Sequence, residues 1–98
     1  MNQLVLSARI VALGALRHTP AGLAALDLTL AHESQAQEAG HERQVQVQIK
    51  AVAVGVIAER LRPMSLGSSA RFSGFIAGMR RAQGIVLHIQ AFDEVQAI

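Results

Sequence analysis

The sequence contains no cysteine, no tryptophan and no tyrosine, and only 3 phenylalanines and 2 prolines. Without cysteine there is no disulfide framework, no thiolate nucleophile and no cysteine-based zinc site, so a metal would have to be held by histidines and carboxylates. So few rings leave little on which nucleobases could stack. Long hydrophobic runs are missing too. The longest apolar stretch, residues 51–58 between Lys50 and Glu59, falls far short of the roughly 20 residues a membrane helix needs. Residues 4–16 do not read as a signal peptide, because no positive segment precedes them and Arg9 interrupts them.

Charge is sparse, at 16% of residues, and 9 Lys plus Arg against 7 Asp plus Glu leave +2 at pH 7. The isoelectric point of about 10.5 overstates this basicity, since almost nothing titrates between histidine and arginine. A nucleic-acid field therefore requires segregated charges, and they are segregated. Asp27, Glu33, Glu38 and Glu42 occupy a stretch without a base, whereas Arg9 and Arg17 precede it and Arg43, Lys50, Arg60, Arg62, Arg71, Arg80 and Arg81 dominate the chain beyond it. The chain is rich in apolar residues, 51% of 98, enough for one small folded domain over residues 1–98 but not for a deep enzyme cleft.

Leu4, Leu6, Ala8 and Ile10 alternate with Val5, Ser7, Arg9 and Val11, which predicts a first strand ending near Leu16. RHTPAG, residues 17–22, is a turn, and Leu26, Leu28 and Leu30 form the returning strand. Residues 32–42 lose all periodicity and read as an exposed connection. In RQVQVQIK the apolar Val45, Val47 and Ile49 alternate with Gln44, Gln46, Gln48 and Lys50, giving a third strand with one core face and one wet face. Residues 52–61 carry helical spacing and end in basic residues and Pro63, which predicts a short helix, although the Val-rich start could instead extend the third strand. After a turn at Leu66, Gly67 and Ser68, residues 71–78 form a fourth strand bent at Gly74, residues 79–84 a hairpin tip, and residues 85–92 the last strand. Five strands with a short helix between the third and fourth predict an all-β, OB-type Greek-key barrel.

No catalytic constellation is present. His18, His32, His41 and His88 lack metal-ligand spacing and read as surface histidines, and Glu38 and Glu42 read as a solvated face. Gly74 and Gly78 are not followed by the lysine and helix of a phosphate loop, so neither an enzyme nor a cofactor is expected. In an OB barrel the first hairpin loop, the face of strands two and three, and the last hairpin loop line a groove for single strands. Arg17 and His18 fall in the first; Arg43, Gln44, Gln46, Gln48 and Lys50 on the second; Arg80 and Arg81 in the third. Strand alternation leaves one of Phe72 and Phe75 outward, but core or interface burial is expected for both, leaving weak, salt-sensitive and sequence-tolerant binding.

The opening NQLVLS, the LRHTPAG turn, LDLTLAHESQAQEAGHERQ, GFIAG with a basic tip, and VLH together resemble the primosomal replication protein N (PriB) family over nearly the whole chain. That resemblance implies a bacterial, cytoplasmic, non-catalytic OB-fold homodimer that binds single-stranded DNA and joins the PriA helicase and DnaT at stalled forks. It places the first hairpin's basic position at His18 and the last tip's at Arg80 and Arg81, in a loop that is shorter and lacks one lysine. The family's arginine after the strand-two histidine is Glu33 here, and its stacking tryptophan is Gln46; both departures weaken the groove. The family dimer pairs first strands, which assigns the interface to Leu4, Val5 and Leu6. An accessory replication-restart factor is thus the first reading. A general single-strand-binding protein is disfavoured by the missing tryptophans and by the lack of an acidic tail before Ile98. A protein-only adaptor is kept open by Glu33 and Gln46.

Overall fold

The computed structural model describes residues 1–94, so the tail before Ile98 lies outside the described residues. Its strands are β1 (Leu4–Leu13), β2 (Arg17–His18), β3 (Ala24–Glu38), β4 (His41–Val54), β5 (Ser69–Gly78) and β6 (Ile85–Glu94), with one helix, α1 (Val56–Leu61). The long strands close on one another in the order β1-β5-β6-β4-β3, and β3 returns to β1. β1 serves both ends of that circle: Leu4 to Arg9 pair with β5, and Arg9 to Leu13 pair with β3 past a bulge between Ile10 and Ala12. The seam between β4 and β6 is parallel and short, from Lys50 opposite Val86 to Val52 opposite His88. This is the predicted five-stranded OB barrel; β2 is a two-residue addition on β3, which puts the helix after β4 in the present numbering.

Alternation fills the barrel as the strand periodicity requires. Ile10, Leu26, Leu30, Phe72 and Leu87 are fully enclosed, while Arg9, Asp27 and Lys50 point outward between them. Gly74 faces the core where β6 bulges, opposite Ile89, and a Cβ there would overlap the His88 carbonyl. Glycine is therefore required at the bend for close backbone approach.

Three boundaries differ from expectation. Residues 32–42 are not a loop: β3 and β4 stay paired from Ala25 opposite Val54 to Glu38 opposite His41, and Ala39 and Gly40, both at positive φ (53° and 80°), make the turn. The arm beyond the barrel is exposed on both faces, so no apolar alternation marks its β3 half, and Ala-Gly lacks the usual Asn or Asp signal. For the same reason Val45 and Val47 are not core residues; only Ile49 of that trio is buried. The helix starts at Val56 rather than Val52, because Gly55, at φ 88° and ψ −146°, breaks the chain there and donates its N–H to the Ala24 carbonyl at 2.7 Å. The first strand ends at Leu13, after which Gly14 donates to the Asp27 carbonyl at 2.8 Å.

Gly74→Ala should lower the unfolding midpoint in urea, with a cost of about 1–3 kcal/mol for forcing a methyl group against backbone that cannot yield. An unchanged midpoint would show that the bulge relaxes freely.

Candidate nucleic-acid interface

The short β2 sets Arg17 opposite Ala25, one β-pleat from Asp27 on β3. Thr29 and Lys50 are cross-strand neighbours on the outer face, and the Lys50 ammonium donates to the Thr29 hydroxyl at 3.2 Å. The β5–β6 tip brings Met79 and Arg80 over the same face. Together these segments wall a groove of about 720 Å³ floored by Val52, Val86 and His88. Arg17, Lys50 and Arg80 thus meet on one surface, whereas His18 and Arg81 are exposed nearby but do not line it.

The three cations are in different electrostatic states. Arg17 donates from Nε to Asp27 Oδ2 at 2.9 Å and from Nη2 to Oδ1 at 3.1 Å, a fork-to-fork pair. These hydrogen bonds, joined by the attraction of the charges, hold the Asp27 carboxyl below its ordinary value against a smaller upward push from partial burial. Lys50 meets a neutral hydroxyl, and Arg80 has no side-chain hydrogen bond or ion pair among the described residues.

One ring beside this groove departs from the burial expected of it. Phe75, expected to be buried, points outward and stacks on its cross-strand neighbour His88, with ring centroids 4.7 Å apart and planes within 7°. The signal was present in the alternation of β5, where Phe72 and Phe75 have opposite parity. Phe72 takes the core place, and Phe92 lies beneath the Arg60 guanidinium at 5.3 Å.

The glutamine row lies elsewhere. Gln46 and Gln48 border a shallower depression of about 250 Å³ with Arg9 and Glu33. Glu33 sits directly opposite Gln46. Gln44 and Arg43 lie farther out on the β3–β4 arm, where Arg43 is bound to Glu38 at 2.9 Å. Asn2 pins the start of the chain to Ile76 through both its amide and its carbonyl (2.7 and 2.9 Å). Leu4 and Leu6 pack on the edge of the core and Val5 is exposed. Among the described residues, the edge of β1 from Leu4 to Ser7 has no strand beside it on the β3 side, and a His32 ring nitrogen meets the Ser7 carbonyl at 2.6 Å.

Residues 2–91 match a family model described as another single-strand binding protein family. The chain is 50% identical over 91 residues to replication restart protein PriB of Bordetella pertussis, covering 92% of this chain and 85% of that one. It is 37% identical over 90 residues to PriB of Nitrosomonas europaea, covering 91% and 83%. The chain belongs to the PriB family. A solved PriB structure from Ralstonia solanacearum superposes with a TM-score of 0.89 at 32% identity, covering 98% of this chain and 99% of that one. The wild-type single-stranded DNA binding protein of Thermus aquaticus is similar at a TM-score of 0.78 and 26% identity, with 98% of this chain matching 50% of that one. Within the PriB family, then, this member has an acidic residue paired to the first cation of its groove and an acid beside Gln46. Among the described residues no histidine and carboxylate cluster is arranged to hold a metal, and no helix is long and apolar enough to cross a membrane.

Because the folded Asp27 carboxyl is depressed, the pair contributes stability above the ordinary unfolded carboxylate value and loses it as pH falls through the lower folded value. An NMR titration of Asp27 should show a midpoint below the ordinary value, and Arg17→Gln should move it upward. Equal midpoints in the two proteins would mean that Arg17 does not set it.

Proposed function

We propose that this chain is a non-enzymatic accessory factor of replication restart, a single cytoplasmic OB domain that binds single-stranded DNA and promotes primosome assembly with the PriA helicase and DnaT. The observation that carries the reading is the convergence of Arg17, Lys50 and Arg80 on one groove beside the half-exposed Phe75 and His88 stack. Cations spaced along a groove follow a phosphate backbone, and a ring beside them gives a base a place to stack without reading its identity. His18 and Arg81 extend the basic surface on either side, and Gln44, Gln46, Gln48 and Arg43 would carry the strand along the arm. The PriB and single-strand-binding relatives support the assignment.

Adaptor work through protein partners is the second reading. It is favoured by the juxtaposition of Glu33 and Gln46, which leaves the outer face of the arm with an acid and no ring. For the homodimer we propose the uncovered edge of β1 as the interface, with Leu4, Val5 and Leu6 meeting their counterparts across a two-fold axis.

Fluorescence anisotropy of a labelled oligothymidine of about 30 nucleotides, titrated at several salt concentrations, separates the two readings. The double variant Arg80→Ala with Arg81→Ala should weaken binding and flatten the log–log salt slope by about 0.7 for each phosphate that is no longer neutralised. An unchanged slope removes that tip from the site, and no binding by the parent protein at low salt favours the adaptor. Light scattering should give twice the chain mass, and Val5→Lys should shift the protein toward monomer. A monomeric parent protein would rule out the dimer.

A further inference from the structure

We propose that Asp27 is a built-in competitor of the phosphate backbone, its carboxylate filling the guanidinium fork that a phosphate must take over before Arg17 can join the groove. The inference rests on the DNA-binding reading above and adds to it a residue that sets how strongly the groove binds.

Arg17 on β2 faces Ala25, and Asp27 lies two residues farther along β3, so the two side chains are diagonal cross-strand neighbours within reach of a long arginine. They meet with two near-parallel hydrogen bonds of 2.9 and 3.1 Å. A phosphate would use the same donors in the same planar arrangement, so carboxylate and phosphate cannot both hold the fork. Of the three cations lining the groove, only Arg17 is held by an acid; Lys50 meets the Thr29 hydroxyl, and Arg80 has no acidic partner among the described residues.

The pair is also open to exchange. Its side chains are 51% and 59% exposed, and ion pairs at such exposure add little to folding stability. Asp27 itself lines the groove, so a strand entering it meets this carboxylate as a like charge even after Arg17 has been released. The effective number of cations offered to DNA is therefore one fewer than the groove contains.

The test is the same anisotropy titration with three further variants of the full chain, each first checked for the parental circular-dichroism melt. Asp27→Asn should bind oligothymidine about threefold tighter or more at low salt, with a salt slope steeper by about 0.7. Glu59→Gln changes the net charge equally from helix α1, outside the groove, and should leave the slope unaltered. Adding Arg17→Gln to Asp27→Asn should abolish the gain. Binding by the parent protein without a gain in Asp27→Asn overturns the inference and leaves the DNA reading intact. So does a gain matched by Glu59→Gln, or one that survives loss of Arg17. Failure of every protein to bind removes the DNA reading and this inference with it, whereas binding by Asp27→Asn alone would make the competition decisive.

Discussion

The unbroken antiparallel register of β3 against β4 is the constraint on which most of the molecule depends. A shift of one residue would turn Leu26, Leu28 and Leu30 out to water and Asp27 and Thr29 into the core, so apolar burial holds the register firmly. Once it is held, the outer face has no freedom left: Asp27 must lie beside Val52, Thr29 beside Lys50 and Glu33 beside Gln46. The same ladder then runs past the barrel as an arm, where backbone hydrogen bonds continue and side-chain burial stops. A ribbon of this kind is held at its base by packing and at its tip by the Ala39 and Gly40 turn.

Closure around that ladder rests on two local devices. Gly74 lets β5 approach the His88 carbonyl where β6 bulges, and Gly55 ends β4 and starts the helix in one step. The first of these shapes the candidate groove as well as the core. The bend at Gly74 leaves Phe75 outward against His88, and the three-residue parallel seam sets His88 beside Val52 on the groove floor.

The parts of this structure that were legible in the sequence are those where one face is buried. In β1, β5 and β6 period-two alternation marked the strands to within a few residues, and Gly74 marked its bend. The β3 half of the arm was illegible because neither of its faces touches the core, so residues 33–38 carry no apolar alternation although their backbone is fully paired. Val45 and Val47 misled in the opposite direction, since alternation reports which side a residue faces and not whether anything covers that side. In the candidate site, charge type and loop position placed Arg17, Lys50 and Arg80 near one another. The pairing of Arg17 with Asp27 was hidden, because it depends on β2, a two-residue strand too short to leave a pattern.

The shortage of rings shapes how such a groove can work. Phe72 is enclosed and Phe92 is covered by Arg60, which leaves Phe75, backed by His88, as the one phenylalanine on the groove side. A stacked base contributes about 1–3 kcal/mol, so a groove with one such platform must draw most of its affinity from counterion release. On the proposed reading the state of each cation therefore matters more than it would in a groove lined with rings: with little stacking to mask it, a single carboxylate holding a single arginine would alter a large share of the total. The fold tolerates the arrangement because the pair is exposed and the core lies wholly on the other face of β3. Packing thus fixes where the cations stand, and on the proposed reading the outward Asp27 beside Arg17 adjusts what they are worth.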